Sequence, residues 1–327
     1  MRFILLLQAT VFAAGLLALA AQAHASPKVV AYVPNWIDVA AFAKTIDYPK
    51  ITHINIAFEN PTNDAGELSY NSEDDLLITR AHENHVLALI SIGGATAASN
   101  ETLRNRYAGL LSDHKRKEFA QKLTDYVVAH NADGLDVDLE GPAIDQNYGA
   151  FIADLAPLLR PKHKLLTAAL SQGYGGSKVP DAALKLFDFV NIMAYDAAGS
   201  WNPNAPGQHS SLDFAKSNAT YWLTRGLPRR KAVLGVPFYG YGFGSAFRQG
   251  DYPYSKIVEA YPGAEKLDQA GSTIWYNGIP TIKAKAKYVK DQGLAGVMIW
   301  SLDTDVKGER SLLSAIYETL HGTGPGR

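Results

Sequence analysis

Three acidic side chains stand at alternate positions near the middle of the chain, in the stretch Asp133-Gly134-Leu135-Asp136-Val137-Asp138-Leu139-Glu140. If the stretch is extended, Asp136, Asp138 and Glu140 share one face about 6.6 Å apart, and Leu135, Val137 and Leu139 share the other. The apolar face must pack against other elements, which leaves the acids half-buried, where unpaired charge is expensive. Carboxylates crowded in such a place raise one another's affinity for protons, so one can stay protonated beside a partner that is ionised. That pairing is what general-acid cleavage of a glycosidic bond requires. A calcium loop begins the same way, but its twelfth position is Asn147 in place of a bidentate Glu, and Val137 and Leu139 suit a strand better. An acidic strand edge facing water is the other alternative, and it leaves the clean alternation unexplained.

The acids need a scaffold, and the rest of the chain supplies a regular one. Short β-branched and apolar runs recur eight times, at 28–33, 51–58, 85–92, 134–140, 164–171, 187–195, 231–238 and 293–300. Most are separated by segments with helical spacing, such as Phe119, Leu123, Tyr126, Val127 and Tyr148, Ile152, Leu155, Leu159. The helix carrying the first set is expected to begin near Ser112 or Asp113, either of which can accept bonds from free backbone donors. Eight strands alternating with helices predict an α/β fold, a (β/α)8 TIM barrel, with any active site at the carboxyl ends of the strands.

The sequence resembles glycoside hydrolase family 18, the chitinase-type family, whose signature strand Asp-x-x-Asp-x-Asp-x-Glu is matched at Asp133, Asp136, Asp138 and Glu140. Ser91-Ile92-Gly93-Gly94, Met193-Ala194-Tyr195-Asp196, Gly235-Val236-Pro237-Phe238-Tyr239-Gly240, Trp300 and the stretch Tyr32 to Trp36 resemble the family too. The resemblance implies that Glu140 protonates the glycosidic oxygen while the substrate's own N-acetyl group attacks the anomeric carbon, the substrate-assisted exception to the two-carboxylate scheme. It implies that Asp138 holds the acetamide N–H and that Asp136 shares a proton or hydrogen bond with Asp138, steadied by Ser91 and Tyr32. Tyr195 then donates its hydroxyl to the acetamide oxygen, and Trp300 forms an apolar floor under the reacting sugar. Met193, Asp196, Tyr239 and Trp36, with Tyr32 and Ser91, complete the expected substrate-binding set. Trp201 follows the sixth run on the same face, and Trp222 reads as core.

The implied substrate is a β-1,4-linked N-acetylglucosamine polymer or oligosaccharide. The chitobiose core of N-glycans and peptidoglycan carry the same sugar at the cleaved bond and stay open as alternatives. A non-enzymatic sugar-binding protein is the third, although such members usually lack the catalytic Glu or its Asp neighbour. The chain departs from the family's common chitinases at Leu139, where an aromatic residue is frequent, at Gly141-Pro142, where Tyr-Pro is frequent, and at Tyr241, where arginine is. Only about 50 residues separate Phe243 from Gly293, too few for the full-sized insertion that many members carry between the seventh and eighth strands. An open, shallow cleft is expected.

Composition removes competing classes. The chain of 327 residues is 47% apolar and 10% aromatic, which suits a packed core and not a disordered chain. Its 31 Lys and Arg balance 32 Asp and Glu, leaving no global field for nucleic acid or an anionic membrane. There is no cysteine, hence no disulfide, thiolate metal site or cysteine nucleophile. His82 and His85 sit at metal-pair spacing without a third ligand nearby, and Lys115-Arg116-Lys117 reads as a solvated helix face, so neither a metal nor an organic cofactor is expected. Met1-Arg2, the apolar stretch Phe3 to Ala21 and Ala23-His24-Ala25 read as a secretory signal peptide over 1–25. The expectation is a single catalytic domain over 26–327, secreted or periplasmic, without stable membrane association after cleavage.

Overall fold

The computed structural model describes residues 26–322, so the expected signal peptide lies outside the described residues. Among the described residues twelve strands follow one another: β1 Lys28–Pro34, β2 His53–Ala57, β3 Leu87–Gly93, β4 Gly134–Asp138, β5 Leu165–Leu170, β6 Phe189–Ile192, β7 Ala232–Pro237, β8 Tyr239–Gly242, β9 Tyr252–Pro253, β10 Gln269–Ala270, β11 Ile274–Trp275 and β12 Gly296–Trp300. Eight of them, β1 to β7 and β12, pair in parallel and close into a barrel in the order β1-β12-β7-β6-β5-β4-β3-β2. Each of the eight falls within or overlaps one of the runs read from the sequence, and the fold is the expected (β/α)8 barrel.

The period of two sorts each strand's side chains between two cores. Val29, Ala31 and Val33 of β1, and Leu135, Val137 and the following Leu139, lie in the large cluster between barrel and helices. Val30 and Tyr32 of β1, Ala169, Phe189, Val233 and Met298 pack inside the barrel. Trp222 is fully buried in the outer cluster, as its helical spacing suggested. The acids of β4 therefore point inward because their apolar neighbours are needed against the helices.

The remaining strands form a small antiparallel sheet in the order β10-β11-β8-β9, inserted between β7 and β12. Three of its strands have two residues each, too short to show any period in the sequence. It is no full-sized insertion domain. A second difference concerns the helix expected from Ser112 or Asp113, which starts at Arg116, with Lys115 at its N-cap and no side-chain cap. The hydroxyl of Ser112 instead donates to Gly109 O at 2.6 Å and Asp113 accepts from Arg116 Nη1 at 2.6 Å, so both candidate caps are otherwise engaged. Among the described residues, no helix is long and apolar enough to cross a membrane.

Gly93 shows how closely this barrel is packed around its acids. It ends β3 in register with Asp138, at φ +107°, and a Cβ there would lie 2.3 Å from the Asp138 carbonyl oxygen. Neither the backbone conformation nor the contact admits a side chain. Gly93→Ala is expected to lower Tm by more than about 5 °C in a thermal melt and to displace Asp138.

Candidate active site

Inside the barrel, Asp136 is fully buried and its carboxylate is held from four sides. Oδ2 accepts hydrogen bonds from Tyr32 Oη at 2.6 Å and Ser91 Oγ at 2.8 Å; Oδ1 accepts them from Thr167 Oγ1 at 2.5 Å and Asn191 Nδ2 at 3.4 Å. The donors come from β1, β3, β5 and β6, so the group is fixed by the closure of the barrel itself. Burial raises the Asp136 pKa, and the four donors, by favouring the ionised form, oppose that rise.

Two residues further up, Asp138 is buried with no such support: its Oδ1 has no hydrogen-bond partner. The expected bond between Asp136 and Asp138 is not formed, because both Asp136 oxygens are already occupied by other donors. Burial first, then the charges of Glu140 and Asp136, push the Asp138 carboxyl well above the ordinary carboxylate range. Glu140 follows the last residue of β4, and its extended backbone, φ −126° and ψ 154°, carries the alternation one step beyond the ladder. Burial, then the charge of Asp196, lifts its pKa to about 7. Protons on Asp138 and Glu140 thus belong to the pair, and the resting site disfavours ionising both.

Gly141 explains one departure from the family pattern. It stands at φ +50°, and the Tyr174 ring occupies the space a Cβ would take, with Cζ 2.2 Å from that position. The Tyr174 ring, from the loop after β5, therefore fills the space that a side chain at position 141 would need.

Across the barrel mouth, the chain after β6 carries Tyr195 and Asp196. The Tyr195 hydroxyl meets only the weak acceptor Met298 Sδ, at 3.9 Å, and burial raises its pKa, so it remains a donor. Asp196 is in the left-handed region, φ +65°, with 41% of its side chain exposed. Its Oδ1 accepts from Tyr239 Oη at 2.5 Å and Tyr241 Oη at 3.1 Å. Tyr241, where the family often has arginine, is here a neutral donor to Asp196.

Aromatic rings form the rest of the surface. Trp300, at the end of β12, lies 5.4 Å from the Tyr32 ring and stacks on Phe58 at 5.7 Å and 20°. Phe58 in turn stacks on Trp36 at 6.4 Å and 28°. The side chain of Asn35 ties these loops together, donating to Phe58 O and Glu59 Oε1 and accepting from Phe58 N. On the opposite side, Tyr195, Tyr239, Tyr241 and Trp201 meet edge to face in sequence. Trp36 and Trp201 are 64% and 58% exposed, at the two outer ends.

The residues expected from the sequence sort into two groups. Glu140, Asp138, Tyr195, Asp196 and Trp300 gather at the mouth, and Trp36 stands at its edge. Tyr32 and Ser91, expected both to steady Asp136 and to bind substrate, are buried with their hydroxyls on Asp136, so they fill the first role and present nothing to a ligand. Met193 and Tyr239 are nearly buried as well, the first in the inner core and the second holding Asp196. Phe58, Thr167 and Asn191 were missed. Thr167 and Asn191 are polar residues inside otherwise apolar runs, and that inconsistency was the available signal. Among the described residues no group of three or more His, Asp or Glu side chains is placed to hold a metal ion, and His82 Nε2 lies 2.8 Å from Asp133 Oδ2.

Residues 28–305 match Glycosyl hydrolases family 18. The chain is 27% identical over 367 aligned residues to Chitotriosidase-1 of Mus musculus, covering 92% of this chain and 78% of that protein. Among solved structures, the GH18 chitinase from the chitin utilization locus of Flavobacterium johnsoniae is 35% identical, with a TM-score of 0.83 over 90% of this chain and 94% of that one. A chitinase from Bacteroides thetaiotaomicron is 26% identical, with a TM-score of 0.77 over 93% of this chain and 99% of its own. The match spans the barrel and takes in all four acids of the β4 signature, and the chain belongs to glycoside hydrolase family 18 as a glycosidase that hydrolyses O-glycosyl bonds.

Proposed function

We propose that the protein is a secreted or periplasmic enzyme that cleaves β-1,4-linked N-acetylglucosamine polymers, chitin or chito-oligosaccharides, with retention and with the substrate's acetamide as nucleophile. The observation that carries the reading is the Asp138–Glu140 pair at the barrel mouth, where a buried carboxylate oxygen without a partner stands two residues from an acid whose pKa is about 7. A family 18 glycosidase has no need of a second carboxylate nucleophile when the sugar supplies its own. The choice of chitin draws on the relatives, which are chitinases or a chitotriosidase by name.

In this scheme the sugar at the cleaved bond lies on Trp300 with its acetamide directed into the barrel. Its N–H donates to Asp138 Oδ1, the acceptor that lacks a partner. That bond favours the ionised form of Asp138 and leaves the pair's proton on Glu140. Tyr195 Oη turns from Met298 to the acetamide oxygen and aligns it for in-line attack. Glu140 gives its proton to the departing oxygen as the acetamide oxygen bonds to the anomeric carbon, and ionised Asp138 stabilises the positive charge on the oxazolinium ring. A water then returns a proton to Glu140 and opens the ring from the vacated side.

The short segment between β7 and β12 and the two exposed tryptophans support an open cleft and internal cleavage with little processivity. Digestion of chitin oligomers, a high-mannose glycopeptide and peptidoglycan side by side tests the reading. The expected outcome is turnover of the chitin oligomers, with a ladder of mixed lengths in the first minutes. Turnover confined to the glycopeptide or to peptidoglycan would overturn the substrate assignment, and an early ladder dominated by disaccharide would overturn the endo mode.

A further inference from the structure

A fully buried lysine lies behind the active site, in no salt bridge among the described residues. Lys285, on the helix Ile279–Asp291, places its Nζ 2.6 Å from each of Ser210 O, Ser210 Oγ and Asn277 Oδ1. Burial lowers the Lys285 pKa to about 7, with the Asp268 charge opposing that shift, and in its protonated form the three protons find three acceptors. Because Ser210 Oγ accepts from Lys285, its own proton is directed elsewhere, and it donates to Ala194 O at 2.6 Å. Ala194 immediately precedes Tyr195.

The neighbouring residue closes the other side of the same loop. His209 O accepts from Ala197 N at 2.9 Å, and its ring Nε2 lies 3.2 Å from Tyr239 O. Its buried Nδ1, without a hydrogen-bond partner, is 3.5 Å from Asp196 Oδ1. The pair His209-Ser210 therefore grips residues 194 and 197, with Tyr195 and Asp196 between the two grips. Asp196 stands at φ +65°, a conformation less favoured for a side-chain-bearing residue even though Asp tolerates it better than most, and the two grips help to hold it there. Burying a lysine without an anion is costly, and an apolar side chain of similar length would pack at that position without the expense.

We propose that Lys285 is a positioning residue for glycosidic cleavage: by orienting Ser210, it fixes the loop Ala194–Ala197 and so sets where Tyr195 and Asp196 stand relative to Glu140. The proposal rests on the assignment of Tyr195, Asp196 and Glu140 given above. It has a consequence beyond stability. The titratable groups facing Glu140 are Asp138, Asp196 and Tyr195, and the Asp196 charge helps to keep Glu140 protonated. Loosening the loop withdraws that charge and lets Glu140 ionise at lower pH.

The test compares wild type, Ser210→Ala, Lys285→Met and Asp188→Ala on a fluorogenic chitotriose glycoside. Asp188 accepts a bond from Leu166 N at the opposite end of the barrel, and its variant controls for loss of stability alone. Ser210→Ala is expected to lower kcat about tenfold or more with KM changed less than about threefold. The alkaline limb of kcat/KM should move to lower pH, while Asp188→Ala loses Tm and keeps both kcat and the limb. Should Lys285→Met fail to fold, Ser210→Ala decides. A Ser210→Ala enzyme with wild-type kcat and an unmoved limb would overturn the positioning role alone, whereas a wild-type enzyme that releases no fluorophore would overturn the functional reading beneath it.

Discussion

Glu140→Gln is expected to lower turnover of a chito-oligosaccharide by about three to four orders of magnitude, close to the whole contribution of a positioned general acid. At about 1.36 kcal/mol per tenfold, that is roughly 4 to 5.5 kcal/mol of barrier. The amide keeps the volume and the hydrogen-bonding capacity of the acid but has no proton to give, so KM should change little while kcat falls. Glu140 is fit for the role because burial and the Asp196 charge hold its pKa at about 7. The protonated form is the active one and is lost as pH rises, so wild-type kcat/KM should fall above about pH 7. Steady-state kinetics across pH check both statements, and a Glu140→Gln enzyme within tenfold of wild type would remove Glu140 from the proton transfer.

Asp138→Asn is expected to cost about two to three orders of magnitude in kcat, the scale of one preorganised electrostatic contact to a charged intermediate. The same substitution should stabilise the folded protein at neutral pH. The Asp138 pKa is raised in the folded state, so between its unfolded value near 4 and its folded value the unfolded chain binds fewer protons, and rising pH through that window destabilises the fold. Asparagine removes the titration. Tm of Asp138→Asn should therefore exceed that of wild type by a few degrees at pH 7, the gap narrowing toward pH 4. A variant that loses both activity and Tm would mean that Asp138 is a structural acid with no role in stabilising positive charge. The predicted opposition of stability and activity follows from an acceptor kept unpartnered in the resting barrel so that a substrate N–H can meet it.

The β4 acids were legible because a period of two is enforced by two cores: Val137 and Leu139 had to face the helices, and Asp136, Asp138 and Glu140 had no other side to take. The eight-strand barrel was legible for the same reason. What escaped was whatever depends on contacts between distant segments. Phe58 reads as the end of one more apolar run, and only the closure of the barrel lays it between Trp36 and Trp300. Ser91 and Tyr32 meet Asp136 as the family resemblance implied, but spacing does not reveal their depth in the barrel, where they lie buried away from a ligand. Lys285 sits in a helix that its pattern makes ordinary, 75 residues from the serine it holds. The absent bond from Asp136 to Asp138 has a similar origin, because Thr167 and Asn191 reach Asp136 from two other strands.

The central claim is that the outermost of the three acids keeps its proton to near-neutral pH. A carbon-13 NMR titration of the side-chain carboxyls, with the Glu140 resonance identified by its loss in Glu140→Gln, measures this directly. The account predicts a midpoint at about 7, and a midpoint at the ordinary value of 4.5 would contradict it.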